Sequence, residues 1–254
     1  KPMSLETEIG ALIAQTGLLL DLPQTIVNTA TARMNALATT YNAYLAGATV
    51  TLYVNQLTGD DTRAGDAANP LASIGAAVAR APQGAMVVVL LQADHTLKAD
   101  VDVGNRLLVI DSDSATLRQL YFERWQETYN AQLRRSCRGF NVRSASHLVF
   151  GNVQVNIPVN DGLWSGYATG PNTSPIRGVY GRCGVVNVQF FVSKIARSDA
   201  WGQLVYSYGG FNLFAWTLTE TGLAMAGYWV NGVVNTAGTD PATTRQVRSN
   251  LALI

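Results

Sequence analysis

The feature that most constrains this chain is a change of period. Residues 1–48 carry apolar side chains at helical spacing; from Val50 onward that spacing yields to short Val-, Leu-, Phe- and Tyr-rich runs bounded by Gly, Asn, Asp and Ser. Leu5, Ile9, Leu12, Thr16 and Leu19 keep a 4-3 rhythm, Asp21-Leu22-Pro23 interrupts it, and Val27, Ala30, Met34, Leu37, Tyr41 and Tyr44 resume it. Pro is tolerated in a first helical turn, so the pattern predicts two helices, with a restart at Pro23 and a stop at Gly47. The stripe is narrow, and two such helices alone bury too little area to offset their ordering entropy. The expectation is a coiled-coil stalk completed by other chains. An intramolecular helical hairpin is the alternative.

The remainder reads as β. Met86–Leu91, Arg106–Asp111, His147–Ile157, Gly184–Val192, Gln203–Tyr208, Phe211–Leu218 and Tyr228–Val234 recur at irregular intervals with turn residues between them, as stacked strands require. Pro70 to Ala81 is an exception: Leu71, Ile74, Ala77, Val78 and Ala81 share one helical face, which predicts a short capping helix over an open hydrophobic end. Leu117, Leu120, Tyr121, Arg124 and Trp125 also fall at helical spacing, so residues 115–140 are expected to form an inserted helix or a long lateral loop.

Composition narrows the possible partners. Of 254 residues 14% are charged and the formal net charge is +1, against roughly 25% charged in an average globular protein, so the surface is mostly neutral and polar. Neither nucleic acid nor an anionic membrane is favoured as a partner. No 18-residue apolar run occurs, so no membrane-spanning helix is expected. Cys137 and Cys183 lie in no Cys-x-x-Cys pair or Cys/His cluster; they are expected to be buried thiols, with no metal and no cofactor.

The candidates for chemistry are few. Asp111 and Asp113 would share a strand face about 7 Å apart if the strand continued past Ile110, a spacing open to acid/base work on a glycosidic bond. In Asp-Ser-Asp-Ser the carboxylates are equally turn formers. Asp60, Asp61 and Asp66 around Gly59 and Gly65 offer oxygen to calcium but lack the EF-hand order, and turn formation is again the simpler role. His95 and His147 are far apart, and no Gly-x-Ser-x-Gly turn supports a nucleophilic triad. Arg118, Arg124, Arg134, Arg135, Arg138 and Arg143 make the main basic concentration, suited to gripping phosphate or to forming a solvated face. Trp164, Tyr167, Trp201, Tyr206 and Tyr208 stand among Gly, Ser and Asn, where flat rings beside amides and hydroxyls suit sugars or pack inside a coil.

The order Tyr53-Val54-Asn55, Gly59-Asp60-Asp61, Gly65, Asn69-Pro70-Leu71-Ala72-Ser73-Ile74, Gly84 and Val87–Leu91 resembles the opening module of right-handed parallel β-helix proteins in phage tail fibres and tailspikes. Leu71 stands where that pattern has an aromatic, Ser73 where it has Thr, and His95-Thr96-Leu97 where it has Gly-x-Tyr. The resemblance implies a mainly β fold, a right-handed parallel β-helix with an N-terminal coiled-coil stalk, homotrimeric, divided into a stalk at 1–48, a capped β-helix at 49–200 and a distal β tip at 201–254. It implies a virion protein made in the host cytoplasm that binds a bacterial surface glycan or another host receptor. Its other partners would be itself and, through its N-terminal side, tail or baseplate proteins. The alternative is a tailspike that cleaves a bacterial surface polysaccharide.

Overall fold

The computed structural model describes residues 5–129, 132–143, 146–158, 174–178, 185–191, 193–197, 204–206, 210–216, 218–222, 230–231 and 247–249. The chain divides into two compact units, residues 1–47 and 48–254.

The first unit is α1 (Leu5–Ala48), 44 residues without a break. It runs straight through Asp21-Leu22-Pro23, although an interior proline forfeits a backbone hydrogen bond. Two side-chain hydrogen bonds run along it: the Thr16 hydroxyl donates back to Leu12 O at 2.8 Å, and the Gln24 amide donates to Asn28 at 3.0 Å. Leu5, Leu12, Ile13, Met34 and Leu37 are each more than 60% exposed.

The second unit is built from parallel sheets. The first takes β1 (Thr49–Val54), β2 (Met86–Leu91), β5 (Leu107–Ser112), β10 (His147–Phe150), β13 (Val185–Phe191), β16 (Gly210–Trp216) and β19 (Val247–Ser249) side by side in that order. The second takes β3 (His95–Leu97), β6 (Arg118–Phe122), β11 (Val153–Ile157), β14 (Lys194–Arg197) and β17 (Thr219–Gly222). The third takes β4 (Val101–Gly104), β9 (Phe140–Val142), β12 (Ile176–Gly178), β15 (Val205–Tyr206) and β18 (Val230–Asn231). Strict alternation puts Val87, Val89 and Leu91, Leu108 and Ile110, and Leu120 and Phe122 into the core. Phe122, Phe140, Phe150 and Phe190 follow one another through it with ring centroids 5.1 to 6.2 Å apart. The second helix, α2 (Ile74–Arg80), is capped by the Ser73 hydroxyl, which accepts from Ala76 N. It buries Ile74, Ala77 and Val78, and Leu71 and Ala81 on either side of it are also buried.

Several expectations need correction. No coiled-coil stalk forms: α1 is one helix where two were expected, and the only other helix among the described residues is the seven-residue α2, so no facing helix receives the stripe as knobs into holes. A homotrimer built on that stalk therefore has no basis here. The regular right-handed parallel β-helix gives way to a mainly β arrangement of three parallel sheets with seven, five and five strands. β4 meets β9 with a register shift at Asp102/Gly104, and the antiparallel ribbon β7 (Arg124–Tyr129) and β8 (Gln132–Cys137) interrupts the parallel pairing. Residues 118–122, 124–129 and 132–137 are thus strands where helical spacing predicted a helix or loop; in the first of them Leu120 and Phe122 alternate inward once β3 and β11 flank β6.

Candidate functional site

The loop after β1 owes its shape to side-chain caps. Asn55 Oδ1 accepts from the N–H groups of Leu57 and Thr58, at 3.0 and 3.2 Å. Asp61 accepts from Ala72 N, Ser73 N and the Ser73 hydroxyl at 2.8 to 2.9 Å, which ties the loop to the start of α2. Gly59 lies so close to the Leu71 carbonyl that any Cβ would collide with it, and Gly65 sits at φ 86°, where other residues are strained. Hydrogen bonds from Thr62 N to Asp60 and from Asn69 N to Asp66 hold both carboxyls below the usual range. These aspartates turn toward their own backbone, and no group of three metal-ligating side chains occurs among the described residues.

Gln56 then reaches the edge of the second sheet. Its amide donates to Thr96 O at 2.9 Å and accepts from Thr96 N at 2.7 Å, so it pairs with edge strand β3 as another strand would. Beside this contact opens a cavity of about 260 Å³ lined by Gln56, Ser73, Ile74, His95, Lys98 and Val101 among others. His95 points inward with Leu97 and is 3% exposed. Its Nδ1 has no hydrogen-bond partner among the described residues. Burial pushes its imidazole down to about 4, with Asp61 drawing it partly back up and Lys98 opposing that. The unfolded chain titrates this histidine near 6.5, so between pH 6.5 and 4 it binds a proton that the folded chain refuses. Stability should therefore fall as pH drops through that window, by about 3 kcal/mol in all. Urea midpoints of the parent and of His95→Leu, compared from pH 7 to pH 4.5, check this: the variant should lose distinctly less.

The outward face of the second sheet continues from the cavity. Thr96, on the cavity wall, is the ladder partner of Tyr121, and Gln119 is the partner of Gln154. Tyr121 is 39% exposed, and its hydroxyl donates to Gln119 Oε1 at 2.5 Å, which fixes the ring. Gln154 donates to Asn156 Oδ1 at 2.9 Å, and Asn156 donates to Leu120 O at 3.3 Å. The result is a fixed aromatic platform among ordered amides. Sugars present apolar C–H faces and polar edges that such a surface complements.

The residues singled out in sequence fare differently. Asp111, the penultimate residue of β5, is half-buried, accepts from Ser112 N at 2.7 Å and packs over Gly151. Asp113 lies beyond the strand in a bend and pairs with Arg118 at 3.2 Å, so the two carboxylates do not share a strand face. Arg134 and Arg135 are successive positions on β8, paired in the ladder with Glu127 and Gln126. At the base of the ribbon the Arg138 guanidinium lies 4.3 Å from the Trp125 ring centre. Tyr206, half-buried in β15, pairs with Arg177. Trp164, Tyr167, Trp201 and Tyr208 lie outside the described residues. Cys137 is buried, which pushes its thiol up to about 12. Sequence reasoning missed Tyr121 and His95 as site residues. The detectable signal was period-two alternation in Arg118–Phe122, hidden beneath an accidental helical spacing.

No family model and no curated protein matches the chain. It is similar to two solved structures of GH136 lacto-N-biosidase from Eubacterium ramulus, a selenomethionine derivative and the native protein, with TM-scores of 0.34 and 0.32 and sequence identities of 14% and 16%. The alignments cover 67% and 69% of this chain but 34% and 32% of the enzyme, so the chain spans about a third of that protein's length. Likeness at this level carries neither a fold assignment nor an activity.

Proposed function

We propose that this chain is a receptor-binding part of a phage tail fibre, which attaches the virion to a bacterial surface glycan without cleaving it. The observation that carries the reading is the outward face of the second sheet, where the Tyr121 ring is held by Gln119 among the amides of Gln154 and Asn156 beside the His95 cavity. The motif order of residues 53–97 supports a viral setting, and tail or baseplate proteins would be met through the N-terminal side. The test is binding of the purified chain to a panel of bacterial cells and their extracted surface glycans. Tyr121→Ala should weaken binding roughly fivefold or more, since a stacked ring contributes on the order of 1 kcal/mol. Tyr121→Phe should keep most of the affinity. Unchanged binding by the Ala variant would remove this face from the reading, and release of reducing ends from the glycan would replace adhesion by hydrolysis.

A further inference from the structure

Three carboxylates adjoin the residues that line the cavity beside Gln56, and each is turned to partners of its own. Asp61 accepts from Ala72 N, Ser73 N and the Ser73 hydroxyl; Asp94 accepts from Gln119 N at 2.8 Å; Asp100 accepts from Gly139 N and pairs with Arg177. None of the three lines the cavity. Lys98 does line it, and its exposed side chain makes no ion pair or hydrogen bond among the described residues. With His95 neutral at pH 7, the described lining carries one positive charge and no negative one.

Two further observations point to an occupant. The His95 imidazole, 3% exposed, makes no hydrogen bond among the described residues, and a buried polar group is seldom left so. Gly75 lies in α2, where alanine is the better helix former, and a Cβ there would stand 3.9 Å from both Ser73 Oγ and Val101 Cγ2, in ordinary contact. A side chain would therefore fit at this position, and its absence keeps that part of the cavity open. At about 260 Å³ the space is smaller than the roughly 300 to 1,000 Å³ of pockets for drug-sized ligands, so it suits one sugar residue and not a chain. A single ammonium balances a single carboxylate, whereas phosphate is gripped best by the fork of an arginine, and no arginine belongs to the described lining. We propose that this cavity takes a uronic acid residue of a surface glycan, with its carboxylate on Lys98 and its ring against Ile74 and Val101. The source of that residue rests on the adhesion reading above.

Calorimetric titration of the purified chain with glucuronate and galacturonate tests it, with glucose and inorganic phosphate as controls. One of the uronates should bind, and both controls should bind at least roughly tenfold more weakly, lacking the carboxylate that Lys98 selects. Lys98→Met keeps the length of the side chain without its charge and should weaken uronate binding about tenfold or more, whereas Lys98→Arg should retain most of it. Gly75→Leu should abolish binding while keeping the parent's circular dichroism spectrum; should it fail to fold, the two Lys98 variants decide. Absence of uronate binding overturns the proposal, and so does uronate binding that Lys98→Met leaves unchanged, or phosphate bound as tightly. Tyr121 does not line the cavity, so Tyr121→Ala should leave uronate binding unchanged while weakening whole glycans. Uronate binding by a chain that holds no cell or glycan of the panel would defeat the adhesion reading and leave the cavity assignment standing. Glycan binding that Tyr121→Ala weakens, with no uronate bound, would do the reverse.

Discussion

Phe150→Ala should lower the unfolding free energy by about 3 to 5 kcal/mol, the usual cost of deleting a fully buried ring. Phe150 is 0% exposed and is the ring shared by two contacts, edge-on to Phe140 at 6.0 Å and stacked on Phe190 at 5.1 Å. Removing it takes away two aromatic contacts as well as the transfer energy of the side chain, and the flanking parallel strands limit collapse into the void. Phe150→Leu fills most of the volume and should cost about 1.5 kcal/mol or less. Urea unfolding decides, provided the slope with denaturant stays constant so that the midpoint reports stability alone. Equal losses for the two variants would mean that this position is not packed as described.

Asp100→Ala should cost about 3 kcal/mol, more than its partly exposed position suggests. The cost arises from the partner. Arg177 is only 5% exposed; its guanidinium donates to Asp100 at 2.9 Å and to the Cys137 carbonyl at 2.8 Å, and Asp100 also accepts from Gly139 N. Deleting the carboxylate takes from a buried positive charge the counter-charge it contacts at 2.9 Å, whereas deleting both members removes the charge that needed compensation. Asp100→Ala combined with Arg177→Leu should therefore be more stable than Asp100→Ala alone, by on the order of 1 kcal/mol or more. Thermal unfolding of the two single variants and the double variant checks the order, and a double variant weaker than the single one would refute the argument.

How much of this was legible beforehand depends on how local each signal is. The positions of α2 and of Met86–Leu91 can be read from the chain because capping, turn glycines and burial parity all lie within a dozen residues. Pro23 shows the opposite. A proline interrupting a periodic pattern marks a boundary on average, yet here the helix continues through it. The run His147–Ile157 divides into β10 and β11 at Gly151, where Asp111 from another strand occupies the space a side chain would need. That neighbour is invisible locally. The same holds for the site: Tyr121 becomes a platform only because β6 pairs with β3, and His95 becomes a cavity wall only because α2 lies opposite it. Of the aromatics chosen from composition, Trp164, Tyr167, Trp201 and Tyr208 lie outside the described residues and Tyr206 is half-buried in β15, so the platform at Tyr121 rests on pairing that no composition reveals.

The Gln56 contact with β3 has a consequence for how the molecule is made. Spatial order in each of the three sheets repeats chain order, so every later strand pairs with one synthesised before it. At β3 the earlier edge is already occupied by a side-chain amide. The second sheet can thus extend only toward later residues of the chain. Each later strand of that sheet lies at the edge left open by its predecessor in the chain, and the amide of a single glutamine closes the starting edge.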